Sequence, residues 1–567
     1  MTNYLKTISA LFFALFSLYP SSALAYDGEF AAVSTNGKGA VATVNPLATQ
    51  AGIDALENGG NAIDAAVAAA LTLGVVDSHN SGIGGGAFVL VRYADGTIDA
   101  LDGREMAPAA AHRDMYIIDG ALDKKASKTG ALAAGIPGSL AAFEQLINTG
   151  GKRSWKQAFE HGIHYADNGF TIDPVLAKRL ERTQESILEF PATAKIYLNT
   201  DGSLPKAGQQ LVQKDLANTY RKLANQGSRY FYRGEFAEKT EQWMRKNGGI
   251  ITKQDFANYH TVSREPVVGN YRGNTIVSYP PPSSGGIHIV QMLGMLDAFK
   301  LSSLNDVDRY HLLAEVMDRA FADRAYWLGD SDFVPVPKGL TEPAYLSQRM
   351  KSFSMQSASK NIEHGTPAKP DTNIFGKHTT HIAAADKDGN WVAITTTLNT
   401  SFGSKVVIPG TGVLLNNQMD DFSIQPGVPN AFGLVGNEAN AIAPRKRPLS
   451  SMSPTIVLRE GRPIMTLGAA GGPTIITQVL QNIINVVDLG MDAEQALATQ
   501  RVHQQWKPDV LMIEKSLDSD TQEGLKAKGH KLYGRSYLGA SQMILLKDGE
   551  FFPAAEPRII SQHQQAH

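Results

Sequence analysis

Three long segments of the chain carry apolar residues at helical spacing. Residues 61–74 are rich in alanine and apolar almost throughout, which predicts a buried helix. Residues 311–327 place apolar side chains at helical spacing with polar residues between them. Residues 474–489 form a long apolar stripe with a period of about 3.6 residues, so we expect this helix to cover one face of a sheet.

Four tight turns separate short apolar runs and predict β-hairpins. Three of the turns contain Asp-Gly, a strong hairpin signal, and the fourth contains the weaker Glu-Gly. Three of the four hairpins lie after residue 378, whereas residues 26 to about 375 alternate helical patterns with short strands. We therefore expect an α+β fold in which helices cover antiparallel sheets. The turns are at residues 94–96, 387–389, 459–461 and 547–549.

The first 25 residues have the pattern of a signal peptide. Lys6 precedes an apolar run at residues 8–18, Pro20 ends the run, and residues 23–25 (Ala-Leu-Ala) form a signal-peptidase site. The run is shorter than the roughly 20 residues that a membrane span needs, and no later stretch reaches that length. The pattern predicts an exported protein, periplasmic or secreted, that is cut after Ala25.

Composition narrows the possible chemistry. The 53 basic and 55 acidic side chains leave a net charge of −2, which argues against a basic nucleic-acid-binding protein. With 43% hydrophobic and 19% charged residues, the chain has the composition of a globular protein. The absence of cysteine excludes disulfides, thiolate metal sites and a cysteine nucleophile. Any nucleophile must therefore be an oxygen or a nitrogen.

A polar segment interrupts the chain before its last third. Residues 354–372 contain few large apolar groups and include Pro367 and Pro370, so we expect an exposed, mobile linker that extends over about 354–378. The linker ends at His378 and Thr379, and residues 378–381 open a predicted strand.

Two motifs with known chemistry occur in the wrong context. Residues 82–87 fit the dinucleotide pattern G-x-G-x-x-A, but a helix precedes them and a strand follows, so a tight turn with close backbone packing is favoured. Residues 386–390 resemble the start of a calcium loop, but Trp391 and Thr397 occupy the positions that need glycine and glutamate. The sequence contains no phosphate loop and no G-x-S-x-G nucleophile elbow.

Two histidine pairs have the spacing of metal ligands. His161 and His164 form one pair, and His378 and His381 form the other. No third ligand is evident for either pair, so solvated or core histidines are favoured over a metal site.

Four clusters of hydroxyl, amide, carboxylate and glycine groups follow predicted strands. Each alone is more often a turn or a cap, but loops at strand ends are also where functional residues gather. Together they offer what is needed to hold an amino acid, and their joint occurrence favours a binding site. The clusters lie at residues 395–400, 416–421, 448–453 and 468–472.

Several long strings resemble the gamma-glutamyltransferase family, also called gamma-glutamyltranspeptidases, of the N-terminal-nucleophile hydrolases. The resemblance extends through nearly all of the mature chain. It implies an αββα sandwich, in which two stacked antiparallel sheets are flanked by helices. The strings are residues 59–66 (GGNAIDAA), 81–86 (SGIGGG), 104–108 (REMAP), 281–286 (PPSSGG), 379–381 (TTH), 414–422 (LLNNQMDDF) and 446–455 (KRPLSSMSPT).

The resemblance also implies a precursor that cuts itself between His378 and Thr379. The products would be a large subunit, 26–378, and a small subunit, 379–567, which remain together in one intertwined αββα domain. Thr379 would be the nucleophile, its freed α-amine would act as the base, and Thr397 would orient it.

The family correspondence assigns the remaining site residues to a γ-glutamyl substrate, and it requires no metal or organic cofactor. The α-carboxylate and the α-ammonium would each meet an opposite charge, and backbone amides would meet the oxyanion. The residues implied are Arg104, Ser450 and Ser451 for the carboxylate, Asp421, Asn399 and Gln418 for the ammonium, and Gly471 and Gly472 for the oxyanion hole.

The implied reaction transfers a γ-glutamyl group from glutathione or a related compound to water, an amino acid or a dipeptide. Two alternatives stay open: an acylase for glutaryl side chains, against which Asp421 argues, and an exported binding protein without chemistry. Residues 426–437 correspond to a mobile lid, and Phe432 stands where many bacterial relatives have a tyrosine. The preferred acceptor and the ratio of hydrolysis to transfer stay open at this stage.

Overall fold

The computed structural model describes residues 28–368, 380–425 and 427–564. The expectations for the signal peptide at residues 1–25 and for His378 and Thr379 therefore lie outside the described residues. None of the helices in the described ranges combines the length and the apolar character that crossing a bilayer would require.

Within those ranges the chain forms twenty β-strands in chain order. They are β1 Ala31–Val33, β2 Gly39–Ala42, β3 Gly86–Arg92, β4 Ile98–Gly103, β5 Ile117–Ile118, β6 Ala121–Leu122, β7 Phe170–Thr171, β8 Gln210–Leu211, β9 Val262–Arg264, β10 Val267–Tyr271, β11 Asn274–Ser278, β12 Thr380–Asp386, β13 Trp391–Thr397, β14 Thr455–Arg459, β15 Arg462–Ala470, β16 Val502–His503, β17 Leu511–Glu514, β18 Leu532–Arg535, β19 Ala540–Lys547 and β20 Glu550–Ala555.

The same ranges contain eighteen α-helices. They are α1 Pro46–Glu57, α2 Ala62–Val76, α3 Ser139–Gly150, α4 Trp155–Ala158, α5 Glu160–Asn168, α6 Pro174–Leu188, α7 Pro191–Tyr197, α8 Lys214–Gln226, α9 Arg229–Tyr232, α10 Glu235–Lys246, α11 Lys253–Asn258, α12 Gly285–Leu296, α13 Asp306–Trp327, α14 Pro343–Met350, α15 Thr474–Val487, α16 Ala493–Ala498, α17 Ser519–Ala527 and α18 Pro557–Gln564.

Two antiparallel sheets form the centre of the molecule. The larger has seven strands in the order β1-β2-β12-β13-β3-β4-β9, and the smaller has six in the order β10-β11-β14-β15-β19-β20. In both sheets, strands that precede residue 368 lie beside strands that follow residue 380. In the larger sheet β12 pairs with β2 and β13 pairs with β3.

Alternation along the strands builds three apolar layers. On β12, Ile382 and Ala384 face the helices around α2, whereas Ala383 and Ala385 face the second sheet. Between the sheets Phe88 stacks on Tyr279 with ring centroids 4.1 Å apart. The outer face of the smaller sheet packs against α12 and α15, and α13 packs on α12. The order of layers is therefore helix, sheet, sheet, helix, which confirms the predicted αββα sandwich.

The predicted helices and hairpins are confirmed with small shifts at their ends. The helices expected at 61–74 and 474–489 are α2 and α15, and the four hairpins are β3–β4, β12–β13, β14–β15 and β19–β20. The third helix, α13, begins five residues earlier than predicted, because Asn305 caps it through a bond from the Asp308 N–H at 2.8 Å.

The described part of the polar segment, 354–368, differs from the expected free linker. Side chains of α13 hold it: Glu315 accepts hydrogen bonds from the N–H and hydroxyl of Ser359, and Asp323 accepts one from the Gly365 N–H. Its polar groups compensate buried charges of the helix instead of facing water throughout. Several residues of 354–368 are nevertheless exposed, so the exposure and mobility expected for the linker stay predictions, and 369–378 lies outside the described residues.

Candidate active site

The site lies where β12 begins and β13 ends. Thr380, the first residue of β12, pairs with Thr396 of β13. The Oγ1 of Thr397 accepts a hydrogen bond from the Asn399 N–H at 2.7 Å, and Asn399 has a left-handed φ of 81°. This turn fixes the backbone after β13 and directs residues 397–400 toward the start of β12.

The glycine cluster between α2 and β3 supports this turn from behind. A Cβ at Gly85 would lie 1.8 Å from the Thr397 carbonyl oxygen, and one at Gly84 would lie 2.0 Å from the Leu414 carbonyl oxygen. Only glycine fits such approaches. The prediction of a tight turn with close backbone packing is confirmed.

A buried cation and a buried anion meet in the interior beside this turn. Arg104 follows β4, Asp421 lies in the 3₁₀ turn Gln418–Asp421, and their Nη2 and Oδ2 atoms are 2.8 Å apart. Gln418 Nε2 also donates to Asp421 Oδ2 at 2.6 Å, and Arg104 Nη1 lies 3.4 Å from Oε2 of Glu105. Burial raises the pKa of Glu105 to about 7. Asp421, Gln418 and Glu105 thus lie around the Arg104 guanidinium.

The loop after residue 447 contacts the same guanidinium. Arg104 Nε donates to the Pro448 carbonyl oxygen at 3.2 Å. The Ser450 carbonyl oxygen accepts hydrogen bonds from the N–H of Ser284 at 3.0 Å and from its hydroxyl at 2.5 Å. The Ser451 hydroxyl is buried and has no hydrogen-bond partner among the described residues. The loop therefore contacts the Arg104 guanidinium through Pro448, two residues before Ser450.

Two glycines link β15 to α15. Gly471 and Gly472 have φ values of 134° and 66°, and neither N–H donates a hydrogen bond within residues 28–368, 380–425 and 427–564. The N-terminus of α15, which follows at Thr474, adds the positive end of a helix dipole. The turn therefore presents two backbone donors in a locally positive environment.

A cavity of about 330 Å³ connects these elements. The γ-glutamyl candidates Arg104, Asp421, Ser450 and Ser451 do not line it. Its lining includes Thr380, Asn399, Phe432, Gly471 and Gly472, together with Asp77, His79, Asp173, Arg179 and His563.

The titratable residues of this cavity were not predicted from the sequence. Asp77 follows α2, and its Oδ2 accepts a hydrogen bond from Thr380 Oγ1 at 3.4 Å. Burial raises the pKa of Asp77 to about 8. A single Asp after a helix resembles an ordinary cap, so only its position next to Thr380 indicates a role in the site.

The segment that contains Phe432 contacts the site through backbone and amide groups. Asn430 Nδ2 donates to Asp421 Oδ1 at 3.3 Å, and the Ala431 N–H donates to Asp420 Oδ2 at 2.8 Å. Phe432 lines the cavity together with Asn399. The Asn399 Oδ1 atom is buried and accepts no hydrogen bond from a described residue.

The predicted histidine pairs have ordinary side-chain partners where they are described. His161 Nε2 lies 2.9 Å from Asp54 Oδ2, and His164 Nδ1 lies 3.1 Å from the Asn168 amide. His381 is buried against Gly468, and burial lowers its pKa to about 3. A separate group, His311, Glu315 and His530, has the donor atoms of a metal site, but both histidines and the carboxylate already bond to protein groups.

Comparison with known proteins identifies the family. A model of the gamma-glutamyltranspeptidase family matches residues 48–566. The glutathione hydrolase proenzyme of Escherichia coli (strain K12) is 43% identical over 530 residues, which cover 92% of this chain and 91% of that protein.

Solved structures agree. The cephalosporin acylase from Bacillus halodurans is similar with a TM-score of 0.84 at 28% identity, over 97% of this chain and 98% of that one. A chain of the Helicobacter pylori gamma-glutamyltranspeptidase has a TM-score of 0.56 at 39% identity, over 57% of this chain and 94% of that one. This chain therefore belongs to the gamma-glutamyltranspeptidase family and is an enzyme of the γ-glutamyl hydrolase and transpeptidase class.

Proposed function

We propose that the chain is a self-processing enzyme that cleaves glutathione and other γ-glutamyl compounds through a γ-glutamyl-threonine acyl-enzyme. The observation that carries the proposal is the buried contact between Arg104 and Asp421. Opposite charges a few ångströms apart match the α-carboxylate and α-ammonium of a free amino acid.

Thr379 is the proposed nucleophile and lies outside the described residues. The register that pairs Thr380 with Thr396 supports this assignment, because one further pair would set position 379 opposite Thr397. Thr397 would then orient the nucleophile, as its family correspondence implies.

The Thr379 hydroxyl also performs maturation. It attacks the carbonyl carbon of His378, and the acyl group moves from the nitrogen to the oxygen of Thr379. Water then hydrolyses this ester and releases the His378 carboxylate. An α-amino group with an ordinary pKa of about 7.7–8.0 is left beside the hydroxyl and is neutral in part of the molecules near pH 7. This amine takes the hydroxyl proton in each later acylation.

Transfer repeats the attack on the γ-carbonyl. The C–N bond to the leaving amine breaks, the ester to Thr379 Oγ forms, and the leaving amine receives the proton. Water or an acceptor amine then attacks the ester, and its proton returns to Thr379 Oγ through the α-amine. The Gly471 and Gly472 N–H groups face the oxyanion in both steps, where one such donor contributes about 10²–10³ in rate.

When the substrate binds, its α-carboxylate and α-ammonium would replace the direct contact between Arg104 and Asp421, and each would contact one of the two residues. Arg104 takes the α-carboxylate, with hydroxyls from Ser450 and Ser451, and Asp421 takes the α-ammonium, with Asn399 and Gln418. Because the two charges neutralise each other before binding, neither is buried unpaired, which would cost several kcal/mol.

Processing and export complete the proposal. The cut at Thr379 gives subunits 26–378 and 379–567, and the interleaved strands of both sheets support their staying together. The N-terminal pattern supports export and cleavage after Ala25.

The direct test is release of nitroaniline from γ-glutamyl-p-nitroanilide, with and without glycylglycine. We expect release without acceptor, faster release with it, and γ-glutamyl-glycylglycine as a product. An intact single chain that binds the anilide without cleaving it would instead support a binding protein.

An Asp421→Asn variant separates a γ-glutamyl enzyme from a glutaryl acylase, the alternative that the acylase structure raises. The amide loses the charge that meets the α-ammonium, so kcat/KM for γ-glutamyl-p-nitroanilide should fall by about 1.5–3 kcal/mol, or roughly 10–150-fold. Glutaryl-p-nitroanilide has no ammonium and should lose less. Equal losses with the two substrates would contradict the assignment of Asp421.

A Phe432→Tyr variant should favour transfer over hydrolysis. A hydroxyl on this ring could donate to the buried Asn399 Oδ1, and one hydrogen bond of about 0.5–1.5 kcal/mol changes a closed-to-open ratio roughly 2–13-fold. A more closed lid admits less water to the acyl-enzyme.

The measurement is the ratio of glutamate to γ-glutamyl-glycylglycine at fixed acceptor concentration. Phe432→Leu, which is apolar and has no hydroxyl, is the control and should not lower the hydrolytic fraction. An equal or higher fraction in the tyrosine variant would show that apolar packing alone closes the lid.

A further inference from the structure

One cation of the cavity has no partner. Arg179 lies on α6, is half-buried and lines the same cavity as Gly471 and Gly472. Its guanidinium donates no hydrogen bond and forms no ion pair with any residue in the described ranges. A guanidinium on a cavity wall is a ready receptor for a carboxylate.

The neighbouring acidic groups are bound to other partners. Asp173 caps α6, where its Oδ1 accepts from the Leu176 N–H at 2.8 Å, and its Oδ2 lies 3.6 Å from His563 Nδ1. Asp77 bonds to Thr380 and Asn80, and burial raises its pKa to about 8 and so favours its neutral form at pH 7. Burial also lowers the pKa of His79. Arg179 is therefore a cation of the cavity wall to which no described carboxylate is bonded.

The position of the cavity tells which part of a substrate would meet this charge. On the proposed function, the γ-glutamyl group is held by Arg104 and Asp421, neither of which lines the cavity. The scissile carbonyl lies at the Gly471–Gly472 turn. The group on the far side of that carbonyl, the leaving amine or the incoming acceptor, must then occupy the cavity. Its volume of about 330 Å³ is in the range of small-molecule sites.

We propose that Arg179 binds the carboxylate of the leaving or acceptor peptide, so that the cavity between α6 and the Gly471–Gly472 turn is a subsite for amines that carry a carboxylate. Cysteinylglycine, amino acids and dipeptides belong to this class. The subsite rests on the proposed function and adds a preference for free acids over amides and uncharged amines. Arg179 would be a specificity-determining residue, with no part in the acylation chemistry.

Paired acceptors test the subsite. With γ-glutamyl-p-nitroanilide as donor, kcat/KM is measured for glycylglycine and for glycylglycinamide, which differ only in the carboxylate. Arg179→Ala should lower the value for glycylglycine about 10-fold or more and lower that for the amide clearly less. Arg179→Lys, which keeps the charge, should restore part of the preference. Arg182→Ala, an exposed arginine of the same helix outside the cavity, is the matched control and should leave the preference as in the parent.

The outcomes separate the two proposals. If the parent forms no transfer product with either acceptor, the proposed function fails. If the parent is active but Arg179→Ala loses equally on both acceptors, or on neither, the subsite is wrong and the function stands. Two subunits on a gel show that a variant has matured, and Arg179→Gln replaces the alanine variant in the same comparison if the latter does not mature.

Discussion

A Thr379→Ala chain should stay a single polypeptide and lose its γ-glutamyl hydrolase activity by a factor on the order of 10⁴ or more. Without the hydroxyl, neither the carbonyl of His378 nor the γ-carbonyl of a substrate can be attacked. The parent should show two bands, and N-terminal sequencing of the smaller should begin Thr-Thr-His-Ile. The measurements are a denaturing gel and the anilide assay.

Two further variants are the controls for Thr379→Ala. Thr379→Ser keeps a hydroxyl and should still be cut. Thr380→Ala removes the next hydroxyl along the chain, which donates to Asp77 Oδ2 at 3.4 Å. This variant should also be cut. If Thr379→Ala matures as the parent does, a host protease makes the cut and the nucleophile assignment fails.

The sequence predicts the layers well because each element buries a continuous apolar surface. The stripe of α15 and the alanine-rich α2 have partners throughout their length, so periodicity alone identifies them. The four hairpins are equally local, since a two-residue turn determines each pairing.

Helix α13 shows that hydrophobic periodicity does not predict which polar residues are buried. Its buried residues include His311, Glu315, Arg319 and Asp323, which a surface helix would expose. Their partners lie far along the chain, in 354–368 and around His530. A polar sequence pattern is the same whether water or another polar segment covers the helix face. For this reason the sequence predicts an exposed linker over 354–378.

The candidate site also contains some residues that the sequence predicts and others that it does not. The resemblance to the family implies Arg104, Asp421, Gln418, Ser450 and Ser451 as site residues, and in the structure Arg104 and Gln418 both bond to Asp421. The direct contact between Arg104 and Asp421, 317 positions apart, had no local signal. Nor did the presence of Asp77 and Arg179 in one cavity, because helix packing and not a motif brings them there.

An Arg104→Ala enzyme should lose about 2–4 kcal/mol in kcat/KM for γ-glutamyl substrates, or roughly 30–1,000-fold. The guanidinium is the proposed partner of the α-carboxylate, and alanine leaves that charge to enter a buried pocket unpaired. We expect the variant still to be cut at Thr379, since Arg104 has no contact with that bond in the proposed mechanism. The measurements are steady-state kinetics and the two-band pattern.

The contact with Asp421 adds a second consequence, which has to be separated from the first. Removing Arg104 takes from Asp421 its 2.8 Å ion pair, and breaking a buried ion pair from one side costs about 3–5 kcal/mol of stability. Arg501→Ala is the matched control, because it breaks the buried 2.8 Å pair with Glu556, and neither of these two residues lines the cavity. Both variants should melt at lower temperature, but only Arg104→Ala should lose catalytic efficiency at a temperature where both are folded. Arg104→Lys should recover stability better than kcat/KM, since an ammonium keeps the charge without the bidentate geometry. An unchanged kcat/KM in folded Arg104→Ala would remove Arg104 from the substrate site and leave it a purely structural partner of Asp421.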